Sequence, residues 1–215
     1  MEAFKQLILR RKRGEARFRI TRFVEDVPEM LKLCYIREVE ARGRQYVDDE
    51  DTNEHIAKAA KWLTGGSPRA GLFMYGTTGN GKTTLANAIR QLISLMFENA
   101  SYDERKGVRA ISALQLADFA KAEKSETFYA IKKAELLHID DVGCEPISVK
   151  VWGNEISPIV ETLYYRYDNC LFTIITSNLE EEEIVKRYGE RIADRFLEMF
   201  DLLPFENRSY RKNQR

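Results

Sequence analysis

Apolar positions along this chain follow two rhythms. Short unbroken runs, Leu72-Phe73-Met74-Tyr75, Leu136-Leu137-His138-Ile139 and Leu171-Phe172-Thr173-Ile174-Ile175-Thr176, read as strands buried on both faces. Between them, apolar residues recur every three or four positions, which is the period of a helix with one buried stripe. Ile56, Ala59, Ala60 and Leu63 form one such stripe, ending at Gly65-Gly66-Ser67-Pro68, with Asp51 to Glu54 offering N-caps. Helices are predicted over 83–97, from Leu114 through Ala120, over 128–134, over 156–167 and as one long element over 180–199. Val108 to Ile111 adds a short strand, and Leu202-Leu203-Pro204-Phe205 an edge strand. Strands alternating with helices predict an α/β domain whose parallel sheet is covered on both faces.

Before residue 50 the pattern changes. Phe4, Leu7, Ile8, Phe18, Ile20, Phe23, Met30, Leu31, Cys34 and Tyr35 are interleaved with arginines, and Gly14 and Pro28 break the helical stretches. We read residues 1–50 as a short, basic, helical extension without a core of its own, and 51–215 as the main domain. The 34 basic and 34 acidic residues cancel over the 215-residue chain. Locally they do not. Eight cations stand in residues 1–22 against Glu2 and Glu15, four more follow Asn207, and acids crowd at Asp48, Asp49, Glu50, Asp51 and Glu54. Such asymmetry suits a polyanion or a protein partner; the basic start either grips DNA phosphates or keeps an amphipathic segment in solution. Cys34, Cys144 and Cys170 are scattered, with neither His55 nor His138 at metal-ligand spacing, so a zinc site is not expected and a reducing compartment is. Without an apolar run of membrane-spanning length or a signal-peptide core, the expected location is the cytoplasm, with no membrane partner.

The most chemically specific stretch follows the first strand. Gly76-Thr77-Thr78-Gly79-Asn80-Gly81-Lys82-Thr83 satisfies G-x-x-x-x-G-K-[ST], and Thr84 continues into the predicted helix. Glycines let backbone N–H groups converge on phosphate oxygens, and the helix N-terminus adds its positive end. Lys82 would reach the β- and γ-phosphates, and the Thr83 hydroxyl would ligate Mg²⁺. The run Leu136 to Ile139 ends in Asp140-Asp141. Read as chemistry, Asp140 completes the metal shell and Asp141 polarises the attacking water; read as structure, they are turn residues. Asn178, after Thr176-Ser177, would sit between the acids and the γ-phosphate, or would cap the next helix with Ser177. Arg191 and Arg195 share a helix face, either solvated or presenting an arginine finger to a neighbouring subunit. His138 reads as a core residue, and Tyr164-Tyr165-Arg166-Tyr167 as helix packing or a surface for stacking bases.

The order and spacing of "GTTGNGKTTLANAI", "LLHIDDVG", "IITSN" and "GERIADRF" resemble the AAA+ ATPases, and more closely the DnaC/DnaI-type helicase loaders and the related IstB-type transposition ATPases. The resemblance spans about residues 52 to 215. It implies a P-loop core with a five-stranded parallel sheet, ATP and Mg²⁺ as cofactors, Gly76 to Thr83 as Walker A, Asp140 and Asp141 as Walker B, and Asn178 as sensor 1. It implies Arg195 as the finger acting on the next subunit's site, and Arg211, in Ser209-Tyr210-Arg211, as a sensor-2 residue on its own γ-phosphate. The implied activity is ATP hydrolysis coupled to loading a DnaB-type replicative helicase onto single-stranded DNA, with subunits associating through their ATP sites. The alternative is an IstB-type ATPase that binds DNA and recruits a transposase. Asp141 stands where many AAA+ enzymes have Glu, which implies slow or partner-stimulated hydrolysis, and the extension lacks the zinc-ligand cysteines of DnaI-type loaders.

Overall fold

A computed structural model describes residues 17–100, 104–121, 125–207 and 209–210. In chain order the elements are α1 (Val27–Glu40), α2 (Glu50–Leu63), β1 (Gly71–Gly76), α3 (Lys82–Met96), β2 (Arg109–Ser112), α4 (Ala113–Phe119), α5 (Ser125–Lys132) and β3 (Leu136–Val142). Then come β4 (Val149–Val151), β5 (Asn154–Ile156), α6 (Pro158–Asp168), β6 (Phe172–Ser177), α7 (Glu181–Tyr188), α8 (Glu190–Met199) and β7 (Phe200–Phe205). The main sheet runs β2-β3-β6-β1-β7 with every neighbouring pair parallel. One strand, β6, thus lies between the acid-bearing β3 and the loop-bearing β1.

Alternation along the strands builds two cores. Leu72, Met74, Ile174 and Leu203 face one side with α1, α2 and α3, whereas Phe73, Tyr75, Ile175 and Phe200 face the other with α4 to α8. The two-sided burial expected of the apolar runs follows directly. At one edge β7 carries Pro204, which has no N–H; its carbonyl accepts from His55 Nε2 at 2.9 Å, and the His55 ring stacks on Phe205 at 3.9 Å.

Several features add to or differ from the sequence pattern. Pro28 does not interrupt a helix but stands in the first turn of α1, where its missing N–H has no intrahelical partner to lose. Val27, Leu31, Cys34 and Tyr35 of α1 are buried in the same cluster as α3, so α1 packs into the main core and builds none of its own. Arg17 is likewise structural: its guanidinium donates to the carbonyls of Trp62, at 2.7 Å, and Ser67, and lies over the Trp62 ring. The acid run around residue 50 is capping machinery: Asp49 accepts from Thr52 N at 2.8 Å as the N-cap of α2, ahead of the stretch where the cap is expected.

The helix predicted over 180–199 is two helices. Gly189 ends α7 and begins α8 at φ 91°, ψ 157°, a backbone conformation nearly closed to residues with a Cβ. Apolar spacing runs through the break, which is why periodicity missed it. The antiparallel hairpin β4–β5 was also not anticipated, because three-residue strands carry too little alternation to register.

Candidate nucleotide site

The carboxyl ends of the parallel strands open into a cleft of about 1070 Å³ lined by the 78–84 loop, Asp140, Asp141, Asn178, part of α1 with the segment after it, and Glu206, Asn207 and Tyr210. This is the end of an open α/β sheet where ligands bind. Gly81, at φ 108°, starts α3 and cannot be another residue without strain: a Cβ there would lie 2.6 Å from the Tyr35 hydroxyl. Lys82 is 5% exposed. Its Nζ donates to Gly76 O and Thr77 O, both at 2.7 Å, and to Asn80 Oδ1 at 3.1 Å, so the loop's own acceptors hold the ammonium at the wall of the cleft.

The opposite wall is a β-bulge. Ile139 pairs with Ile175 and Val142 with Ser177, so Asp140 and Asp141 together face Thr176. Asp141 takes φ 55°, which turns two successive carboxylates to different directions. Thr176 ties the bulge together: its hydroxyl accepts from Asp141 N at 3.0 Å and donates to Asp140 Oδ1. Thr83 Oγ1 donates to the same oxygen at 3.1 Å, bringing loop and acid strand into contact. Burial pushes the Asp140 carboxyl up, but the His138 imidazole and the hydroxyls of Thr176 and Thr83 outweigh it and hold the group at about 2. His138 is buried, with Nε2 3.6 Å from Asp140 Oδ1 and no hydrogen bond to either ring nitrogen among the described residues.

Asn178 is exposed at the cleft beside these acids. The capping alternative for Ser177 and Asn178 gives way to Glu180, which caps α7 in a capping box with Glu183; Ser177 instead donates to Val142 O at 2.6 Å. Arg195 does not line the cleft of its own chain. Its guanidinium lies 4.4 Å over the Tyr164 ring and 5.3 Å from that of Tyr167, so two of the four residues Tyr164-Tyr165-Arg166-Tyr167 form its seat. Arg166, between them, is fully buried and donates to the carbonyls of Lys132, Ala134 and Phe172 and to Thr173 Oγ1, joining α6 to the neighbouring strand ends. Arg211 and residues 1–16 lie outside the described residues.

The pattern along the chain did not reveal the brace on the phosphate loop. Tyr210 N donates to Gly79 O at 3.0 Å, and Asn207 Nδ2 to Asn80 O at 3.0 Å. Asn80 Nδ2 in turn donates to Phe205 O at 2.7 Å. The Tyr210 hydroxyl donates to Asp49 Oδ2 at 2.9 Å and lies 2.8 Å from Thr52 Oγ1. Arg42 of the segment after α1 donates to Thr84 Oγ1. Segments from before residue 52 and after residue 204 thus meet on the loop, with Tyr35, Val39 and Tyr46 adding apolar surface to the cleft. A polar Tyr, Asn and Asp far apart in the chain are a signal visible only after folding.

The donor set fits Mg²⁺ and a triphosphate. A hydroxyl and a carboxylate already converge, and a Cβ-free turn, a lysine and a helix N-terminus surround the space beside them. Fold and cleft together define a P-loop α/β protein with a strand inserted between loop and acid, the AAA+ arrangement. No family model and no curated protein matches the sequence. Solved structures match in fold: the DnaC helicase loader, 22% identical with a TM-score of 0.55 over 75% of this chain and 93% of that one, and DnaI, 20% identical with a TM-score of 0.55 over 74% and 87%. AMPPCP-bound DnaA from Aquifex aeolicus, 22% identical, gives a TM-score of 0.51 over 77% of this chain and half of that one. The chain shares the AAA+ fold of those structures.

Proposed function

We propose that this protein is an ATP-hydrolysing AAA+ protein of DNA replication that loads a DnaB-type helicase onto single-stranded DNA. The observation that carries the reading is the meeting of Lys82 and Thr83 with Asp140, Asp141 and Asn178 in one cleft at the carboxyl end of the sheet. Lys82 would exchange its loop carbonyls for phosphate oxygens, which are stronger acceptors because they are charged. Thr83 and Asp140 would hold Mg²⁺, which supplies charge neutralisation on the phosphates. Asp141 and Asn178, at the mouth of the cleft, would orient the attacking water. Arg195, seated on Tyr164 and Tyr167 away from its own cleft, would serve a neighbouring subunit, so that assembly would complete each site. The likeness in fold to DnaC and DnaI structures supports the replication role over other uses of this fold.

The test is complementation. Lys82→Ala and Arg195→Ala should each abolish ATP turnover, whereas mixing them should restore part of it, since some interfaces then pair an intact loop with an intact finger. No recovery on mixing, with both proteins folded, would show that Arg195 does not act across an interface. Capture of a DnaB-type helicase in the presence of ATP tests the partner; capture of a transposase instead would favour the IstB-type reading.

A further inference from the structure

Trp152 is 86% exposed, the most exposed large apolar side chain among the described residues. It stands at the tip of the β4–β5 hairpin, in a two-residue turn whose members, Trp152 and Gly153, have φ 51° and 83°. Turns of this kind favour Asn-Gly or Asp-Gly, because left-handed backbone is unfavourable for a residue with a bulky side chain. The chain therefore accepts backbone strain to present a ring that packs on none of the described core. Polar and small residues surround the ring: Lys150, Gly153, Asn154 and Glu155 are all exposed.

The root of the hairpin is fixed as firmly as its tip is bare. Val149 is buried, and Val151 and Ile156 pack against the core on the α4 to α8 side. Between β3 and the hairpin, Glu145 is 3% exposed and accepts from Gly143 N at 2.8 Å through Oε2 and from the Tyr188 hydroxyl through Oε1. Arg187 donates to the Glu145 carbonyl. The chain thus leaves the sheet at the carboxyl end of β3, just after the Asp140–Asp141 bulge, is tied through Glu145 to the end of α7, the helix before the one that carries Arg195, and enters the hairpin seven residues after Val142.

We infer that Trp152 is a stacking platform for single-stranded nucleic acid at the end of the sheet that carries the nucleotide cleft. The observations favour a nucleic acid base over a protein surface. A protein contact needs about 800 Å² per partner with an apolar centre ringed by further contacts, and this tip offers one ring on a two-stranded ribbon; Ile147, at its root, is the other exposed large apolar side chain of the segment. One ring is a sufficient unit for one base, and every base has a face to stack. Lys150 lies directly across from Glu155, so the tip adds little net charge, and the contact works through the ring and not through phosphates.

This inference rests on the DNA-directed reading above. The test uses the full chain with a non-hydrolysable ATP analogue and Mg²⁺, and a fluorescein-labelled oligothymidylate as probe. The chain has two tryptophans, and Trp62 is 1% exposed, so acrylamide-quenchable emission reports on Trp152. Oligothymidylate should quench that emission and protect it from acrylamide. Trp152→Asn, which suits the turn and should fold at least as well, should weaken oligonucleotide binding roughly five- to a hundred-fold. It should leave the salt dependence and the ATP-analogue affinity unchanged, and Trp152→Phe should keep most of the binding. Oligonucleotide binding with Trp152 emission unmoved, or with Trp152→Asn equal to wild type, overturns the inference and leaves the proposed function standing. A Trp152 signal that responds to a helicase but not to DNA overturns it in favour of a protein contact. No binding of the oligonucleotide by the wild-type chain ends both readings.

Discussion

The two walls of the nucleotide cleft are built by different means. The acid wall is part of the sheet: β3 and β6 carry Asp140, Asp141 and Asn178 to their ends, and Thr176 locks the bulge from the adjacent strand. The loop wall is a turn held in shape by a chain segment far from it in sequence, through Tyr210 and Asn207, which donate to it, and the Phe205 carbonyl, which accepts from Asn80 of the loop. The first wall inherits rigidity from a cooperative hydrogen-bonded ladder. The second depends on individual contacts, each worth about 0.5–1.5 kcal/mol. A change driven by a bound nucleotide would therefore be easier on the loop side, where segments from both ends of the fold can feel it.

Variants on the two walls should separate them. The largest effect belongs to Lys82→Ala, which should lower ATP affinity by about a hundredfold or more, since charge-assisted hydrogen bonds contribute about 1.5–3 kcal/mol each; equilibrium binding of a fluorescent ATP analogue measures it. Gly81→Ala should follow, at about 1–3 kcal/mol from its left-handed backbone plus the clash with Tyr35. Combining it with Tyr35→Phe should recover only the steric part in denaturant unfolding, so full recovery would mean that the φ of Gly81 is not constrained. Thr176→Val should cost about 1–3 kcal/mol by leaving Asp141 N without its acceptor, and should slow turnover more than it weakens ATP binding. Tyr210→Phe should cost about 1 kcal/mol and raise KM a few-fold at nearly constant kcat. If Thr176→Val proves as mild as Tyr210→Phe, the contrast between the walls fails.

The smallest effect is one of pH. Burial, chiefly, lowers the His55 pKa below its ordinary 6.5, with Lys58 adding to it and the Pro204 carbonyl, Asp51 and Glu54 opposing. The folded state therefore prefers neutral His55. Its contribution to stability is complete above about pH 6.5 and is lost as the pH falls below that value through the folded pKa. Denaturant titrations from pH 8 to 5 should show a decline that His55→Gln reduces.

Much of the sheet could be read in advance because buried parallel strands must be apolar, and their lengths leave little choice of boundary. The turn after β1 could be read because left-handed backbone favours glycine, and Gly76, Gly79 and Gly81 all take positive φ. The acids followed from standing at the end of such a strand, although the bulge that separates their directions lies in the backbone and not in residue type. Gly189 was visible as a residue but not as a break, since Ile184, Ile192 and Phe196 keep the helical period across it. The Tyr210 brace was illegible for a different reason: its partners are set by where β7 ends relative to the loop. Of the pair Arg166 and Arg195, one is a buried staple and the other rests on aromatic rings, and charge spacing alone does not distinguish such fates.

The Pro204–His55 contact bears on how copies of this chain can meet. An exposed sheet edge is a template for a foreign strand, because it offers free donors and acceptors in register. On β7 the donor at 204 does not exist and the acceptor there is occupied, while Asn80 fills the carbonyl of Phe205. The opposite edge, β2, is only four residues long. Growth by sheet extension is thus obstructed on both sides. On the proposed reading, copies gathering around ATP would do so through helices and loops, where contacts can be made and released, and not through a continuous ribbon that would seed fibres.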